Sequence, residues 1–217
     1  FIVGFLVLGM LPGIEKTFDV VTGMTLAELR DPRQPLLRQL QQRAPGTYDH
    51  SLQVASISEA AAESIGADAL LAYVGGLYHD VGKLNKPEYF IENQNGANRH
   101  QLLTPNLSLL VIIGHVKDGV ELAKQYGIPK QIINFIKSHH GTSLVEYFFN
   151  EAKKISVENN MEIPDESDYR YQGPKPKTKE EVILAIADSI ESAARTLNNP
   201  YDQRIDRLVK QISRKKL

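Results

Sequence analysis

A histidine and an aspartate stand side by side at the end of an apolar run, and this placement limits what the chain can fold into. The run Ala69-Leu70-Leu71-Ala72-Tyr73-Val74-Gly75-Gly76 reads as a buried helix, and Leu77-Tyr78-His79-Asp80-Val81-Gly82-Lys83 closes it. Polar side chains at the end of such a helix are costly unless something satisfies them. A bound metal ion would do so. The alternative is an ordinary helix C-terminus with Gly82 as its stop signal. The rest of the chain decides between the two.

The sequence contains no cysteine, so thiolate metal sites, disulfides and thiol nucleophiles are excluded. Any metal must be held by His, Asp and Glu. The formal net charge of -1 gives no global basic field for a nucleic acid polymer. The 217 residues suffice for one large or two small cores.

Phe1 to Leu11 (FIVGFLVLGML) is almost wholly apolar and is followed by Pro12-Gly13. It is shorter than the roughly 20 residues of a membrane span. We read residues 1–13 as the truncated end of a transmembrane helix; a core segment or an apolar tail is the alternative. Residues 14–45 read as linker helices: a capping-box spacing, Thr25 to Glu28, starts one near Thr25, and Pro35 opens another through about Arg43. Residues 46–217 form the principal domain.

In that domain Thr47 is the expected N-cap of a helix to Ile65 whose apolar stripe includes His50. Asp68 caps the next helix, which ends at His79-Asp80. Residues 84–103 form a long polar loop, the kind that usually carries function. Thr104-Pro105 starts a helix through His115, and Asp118 to Tyr126 reads as a separate or kinked segment. Helix 129–140 places His139 and His140 on neighbouring apolar stripes. A helix over 143–157 precedes a second polar loop, 158–177. Thr178 with Glu181 caps a helix that turns Asp188 towards the core, and a last helix begins at Asn198-Asn199-Pro200. No segment shows a strand's period of two. The predicted fold is all-α, a multi-helix bundle.

Five of the six histidines thus fall at helix ends or on buried stripes, together with Asp80 and Asp188. Each polar group buried without compensation costs about 1–3 kcal/mol. Grouped around cations, His50, His79, Asp80, His115, His139, His140 and Asp188 become ligands. They are too many for one tetrahedral ion. They suit two ions that share a carboxylate, either Asp80 or Asp188, because a carboxylate bridges where a neutral imidazole has one lone pair. Such a pair supports in-line phosphoryl displacement by a shared water or hydroxide. Nitrogen and oxygen donors are compatible with Fe, Mn or Zn.

The pattern His50, His79-Asp80, Asp188 resembles the HD superfamily of metal-dependent phosphohydrolases, which are all-helical. His115 and the His139-His140 pair resemble its binuclear phosphodiesterases. The stretches Gly46-Thr47-Tyr48-Asp49-His50-Ser51, Phe90-Ile91-Glu92-Asn93-Gln94, Leu103-Thr104-Pro105, His115-Val116-Lys117-Asp118-Gly119 and Gly173-Pro174-Lys175-Pro176 resemble the cytoplasmic domain of the seven-transmembrane HD receptors, the PgpH-type cyclic di-AMP phosphodiesterases of bacteria. The resemblance implies that residues 46–217 are an HD phosphodiesterase domain around a binuclear site. His50, His79, Asp80 and Asp188 would hold one transition-metal ion, and Asp80, His115, His139 and His140 the other, with Asp80 as bridge and Fe or Mn expected. It implies attack of a metal-bridging hydroxide on cyclic di-AMP to give 5'-pApA, at the cytoplasmic face of a bacterial membrane reached through N-terminal spans.

Asp80 and Lys83 are the catalytic candidates. Lys83 either contacts the scissile phosphate or is a solvated helix-end lysine. Arg170, Lys175 and Lys177 are candidate phosphate or base contacts, Tyr169 and Tyr171 candidate stacking partners for adenine, and Asn93 with Gln94 candidate readers of an adenine edge; exposed loop residues are the alternative. His100 is read as a loop histidine.

Two other functions compete. An HD hydrolase of (p)ppGpp or dNTPs needs only the four-residue set, and a cyclic di-GMP enzyme usually carries a Gly-Tyr-Pro element, which is absent. A non-catalytic HD nucleotide-sensing module typically lacks ligands, and none is missing here.

Overall fold

A computed structural model of the chain describes residues 9–11, 13–15, 17–94, 96, 98–197 and 202–216. Its order is α1 (Gly23–Leu29), α2 (Pro35–Arg43), α3 (Pro45–Ser64), α4 (Ala69–Tyr78), α5 (Pro105–Gln125), α6 (Lys130–Ser138), α7 (Glu146–Glu158), α8 (Lys179–Arg195) and α9 (Asp202–Lys216). Among the described residues the only extended pairing is an isolated bridge between Leu144 and Arg170. The all-α prediction holds.

α4 is the central element. It packs against α3, α6 and α8, and its apolar run explains why: Val74, Leu77 and Tyr78 are all buried in the main core. Gly76 lets α4 close on α3, because a side chain there would meet the backbone of Ala55 at 2.6 Å. The same core takes Leu26 and Leu29 of α1, Leu36, Leu37 and Leu40 of α2, and Ile132, Ile133 and Ile136 of α6. Asp68 caps α4 as expected, accepting from Leu71 N at 2.9 Å. Thr104 and Thr178 cap α5 and α8 by the same device.

Three boundaries differ from the sequence expectation, and a fourth falls outside the described residues. α1 starts at Gly23 with Thr22 as cap, because the Thr25 hydroxyl is bonded to Glu15 at 2.8 Å. α3 starts at Pro45, directly after α2, so Thr47 lies inside the helix. Its side chain does not cap; it bonds Glu92 and Asn93. α5 runs unbroken through His115 and Asp118, since no proline interrupts it. α9 is described from Asp202; the expected start at residues 198–200 lies outside the described residues. The expected membrane-helix end falls mostly on residues 1–8, also outside them. Among the described residues no helix is long and apolar enough to cross a membrane.

The described residues between 84 and 103 run through short 3-10 turns, including Ile91–Asn93 and Arg99–Leu102. His100 is structural here: its Nε2 meets the Tyr89 carbonyl at 2.8 Å and its ring packs on Phe148.

Candidate metal centre

Helix ends and helix faces from five elements meet around Asp80. His79 closes α4 and Asp80 follows it. His50 comes from α3, His115 from α5, His139 and His140 from the end of α6, and Asp188 from α8. All are buried except His140, which is half-buried. The turn Val81–Asn85 is pressed onto α5 so closely that a Cβ on Gly82 would stand 1.8 Å from the His115 carbonyl oxygen. That close approach delivers His115 to Asp80.

The two oxygens of Asp80 face different groups. Oδ2 lies 3.5 Å from His50 Nε2 and 3.3 Å from His79 Nε2. Oδ1 lies 3.3 Å from His115 Nε2 and 3.6 Å from His139 Nε2. Asp188 Oδ1 lies 3.1 Å from His50 Nε2 and 3.8 Å from His79 Nε2, while its Oδ2 faces His140 Nδ1 at 3.9 Å. The donor atoms fall into two sets that share Asp80: His50, His79, Asp80 and Asp188, and Asp80, His115, His139 and His140. Within each set they lie within 4.8 Å of one another.

The donors fit cations. His79 Nε2 and Asp80 Oδ1 are buried and take no hydrogen bond. The Nδ1 atoms of His79, His115 and His139 donate to the carbonyls of Gly76, Ile112 and Ile136, at 2.7, 2.5 and 2.9 Å. This fixes Nδ1 as the donor of each ring and aims Nε2 inward as the atom free to hold an ion. His115 Nε2 and His139 Nε2 face each other at 3.3 Å. Two ring nitrogens at that distance need a shared proton or a cation between them.

Electrostatics point the same way. Burial disfavours charge on His139 and His140; with the neighbouring imidazoles it holds His139 near pKa 3 and His140 well below its ordinary value. Both rings stay neutral, as a metal ligand must. Burial raises the carboxyls of Asp80 and Asp188, but their cationic neighbours outweigh it: Lys83 and His79 hold Asp80 ionised, and His50 and His79 do so for Asp188. His79 is opposed by burial yet pushed up to about 10 by Asp80 and Asp188. An ion binding there displaces this proton.

Lys83 is not a solvated helix-end lysine. Its Nζ lies 2.7 Å from Asp80 Oδ2 and 2.8 Å from Glu92 Oε1, with the side chain only 13% exposed. Glu92 in turn accepts from the Thr47 hydroxyl at 3.0 Å. Asn93 is occupied: Nδ2 donates to Thr47 Oγ1 at 2.8 Å and Oδ1 accepts from Thr47 N at 3.1 Å. These bonds clamp the loop of Asn93, a candidate reader of an adenine edge, onto α3. Gln94 is bonded to the Glu88 carbonyl at 3.2 Å.

The second polar loop lies against the turn after His140. Tyr171 N donates to Ser143 O at 3.0 Å, and the Tyr171 ring stacks on His140 with centroids 4.1 Å apart and planes at 29°. Lys175 packs its backbone beside Gly141, while Lys177 is exposed further along. Arg170 is half-buried, paired with Glu166 and donating to Thr142 O at 2.9 Å. Tyr169, a candidate for adenine stacking, is instead buried with Leu109 and Phe148. Its hydroxyl bonds Asn106.

Sequence reasoning missed Glu92, Glu191 and Arg195. Glu191 bonds His50 Nδ1 at 2.5 Å and pairs with Arg195. Its signal was present, since Glu191 is one helical turn after Asp188 on the same face of α8. Glu92 sits in an irregular loop where no periodicity marks it.

The HD domain family model matches residues 47–193, about two thirds of the chain. The chain belongs to the HD-domain family. Across 213 residues the chain is 46% identical to the cyclic-di-AMP phosphodiesterase PgpH of Bacillus subtilis (strain 168), covering 98% of the chain and 29% of that protein. It is 45% identical over 202 residues to the cyclic-di-AMP phosphodiesterase PgpH of Listeria monocytogenes serotype 1/2a (strain 10403S), covering 93% and 27%. The chain thus spans less than a third of the length of these curated relatives. The crystal structure of the L. monocytogenes phosphodiesterase PgpH HD domain in complex with cyclic di-AMP superposes with a TM-score of 0.80 at 44% identity, covering 86% of this chain and 85% of that one.

Proposed function

We propose that this HD domain is a metal-dependent phosphodiesterase that hydrolyses cyclic di-AMP to 5'-pApA. The observation that carries the proposal is the pair of donor sets joined by the two oxygens of Asp80. The similarity to the HD domain solved with cyclic di-AMP supports the choice of substrate. In this reading His50, His79, Asp80 and Asp188 hold one transition-metal ion, Fe or Mn, and Asp80, His115, His139 and His140 hold the second. Bound there, two such ions lower the pKa of a shared water and stabilise the charge that develops on a phosphodiester.

The chain's own groups do the rest. Asp80 orients both donor sets. Lys83, held between Asp80 and Glu92, places a fixed positive charge beside the bridging carboxylate and the phosphate. Tyr171 closes the side of the site over His140 and offers an aromatic edge to a base. Arg170 and Lys175, on the same loop, are the candidate partners for the second phosphate. The site is lined by buried apolar helices, which exclude bulk water and strengthen each of these charges. We further propose that the domain is the catalytic part of a longer membrane protein and faces the cytoplasm; its similarity to relatives of greater length supports this.

The test is nucleotide product analysis with cyclic di-AMP and cyclic di-GMP side by side, on protein loaded with Mn²⁺ or Fe²⁺. Formation of 5'-pApA, lost in Asp80→Ala, is the expected result. Full turnover by Asp80→Ala removes the mechanism, and preference for cyclic di-GMP removes the assignment of adenine.

A further inference from the structure

The histidines of the centre are not oriented alike. His79, His115 and His139 each donate Nδ1–H to a backbone carbonyl three residues back in their own helix. His50 does not. Its Nδ1 meets the carboxylate of Glu191 at 2.5 Å, across 141 positions of sequence. Glu191 is 7% exposed, and its other oxygen takes the guanidinium of Arg195, one turn further along α8. Asp188, Glu191 and Arg195 therefore form one stripe of α8. Asp188 reaches His50 Nε2 at 3.1 Å, and Glu191 reaches Nδ1 of the same ring.

We infer that Glu191 is the positioning residue for His50 and that it strengthens one of the two ion positions selectively, a role that rests on the two-ion reading given above. An ionised carboxylate draws the Nδ1 proton more strongly than a carbonyl does. It leaves Nε2 more basic and locks the ring so that Nε2 faces Asp80 and Asp188. Arg195 keeps Glu191 in the geometry that meets His50. Among the described residues no carboxylate bonds Nδ1 of His115 or His139, and Asp188 stands 3.9 Å from that of His140, beyond hydrogen-bond reach, so the effect belongs to the His50, His79, Asp80, Asp188 set alone.

The experiment is calorimetric titration of Mn²⁺ into ion-free wild type, Glu191→Ala and Glu191→Gln, with folding checked by circular dichroism and thermal unfolding. Wild type is expected to take up two ions. Glu191→Ala should weaken one of them by about 10–100-fold and leave the other within about twofold, because outer partners of metal-bound histidines contribute on that scale. Glu191→Gln keeps volume and an acceptor oxygen and should lose less than the alanine variant. It carries the test if Glu191→Ala does not fold. Two ions bound by both folded variants with wild-type affinities overturn the inference while leaving the two-ion reading intact. Equal weakening of both ions overturns it as well. A wild type that binds no ion overturns the two-ion reading and this inference together.

Discussion

His115 Nε2 lies 3.3 Å from Asp80 Oδ1, although one residue is mid-helix on α5 and the other stands just beyond the end of α4. Gly82 makes the contact possible, since a Cβ there would stand 1.8 Å from the His115 carbonyl oxygen and 2.4 Å from Gly119 N. Both neighbours are backbone, so neither can swing aside. Gly82→Ala is expected to lift the turn off α5, destabilise the fold by about 3 kcal/mol and part His115 from Asp80. Denaturant unfolding reads the first effect and Mn²⁺ stoichiometry the second, with one of two ions lost. A wild-type unfolding midpoint with both ions bound would contradict this account.

Lys83 stands between two carboxylates in a nearly closed pocket. Removing one partner of a buried ion pair leaves a charge uncompensated, which costs about 3–5 kcal/mol. Lys83→Met should therefore destabilise the ion-free protein on that scale. Ions held at Asp80 compensate the same carboxylate, so the penalty should shrink once Mn²⁺ is bound. Chemical denaturation with chelator and with excess Mn²⁺ checks this. Equal losses in both conditions would mean that Lys83 and the ions do not share Asp80.

Tyr171 covers His140 at 4.1 Å, and its hydroxyl stays protonated because burial pushes its pKa up. Leucine at this position preserves apolar cover but removes the aromatic face. Stacking on a base contributes about 1–3 kcal/mol. Tyr171→Leu should then raise KM for cyclic di-AMP by about tenfold with little change in kcat. A lower kcat at unchanged KM would assign Tyr171 to holding His140 instead.

The helices and the donor set were legible in the sequence for one reason. Apolar residues recur at helical spacing, and His50, His115 and Asp188 interrupt those stripes where only leucine or alanine belongs. The caps Asp68, Thr104 and Thr178 were readable because capping is local chemistry. Thr47 was misread because its hydroxyl is claimed by Glu92 and Asn93, more than forty positions away. Lys83 and Asn93 were ambiguous for the same cause: Lys83 meets Glu92, and Asn93 meets Thr47, only through the fold of a loop of 3-10 turns with no period. Tyr169 and Tyr171 are near neighbours in sequence on one loop, yet one is core and the other lines the site, a distinction made only by how the loop folds back on α7 and the His139-His140 turn.

Stability against pH should reveal how the centre is balanced without ions. His79 has a folded pKa of about 10 against an ordinary 6.5, because Asp80 and Asp188 outweigh the opposing effect of burial. A base raised in the folded state contributes stability that is complete below its unfolded value and fades as pH rises through its folded value. His139 has the opposite sign. Burial, with His79 beside it, lowers it to about 3, so its contribution is present above 6.5 and is lost as pH falls. Asp80 and Asp188, held well below 3.8, add stability that is lost at lower pH still. The ion-free protein should therefore be most stable near pH 6.5 and lose stability on both sides. Ions reverse the alkaline limb. They require neutral His79, so each displaced proton strengthens binding by about tenfold per pH unit up to the folded pKa, and the maximum of the loaded protein should move above that of the ion-free form. Thermal unfolding from about pH 4 to about pH 10, with chelator and with Mn²⁺, measures both curves. Ion-free stability that climbs steadily to the alkaline end would show that His79 does not carry the proton assigned to it.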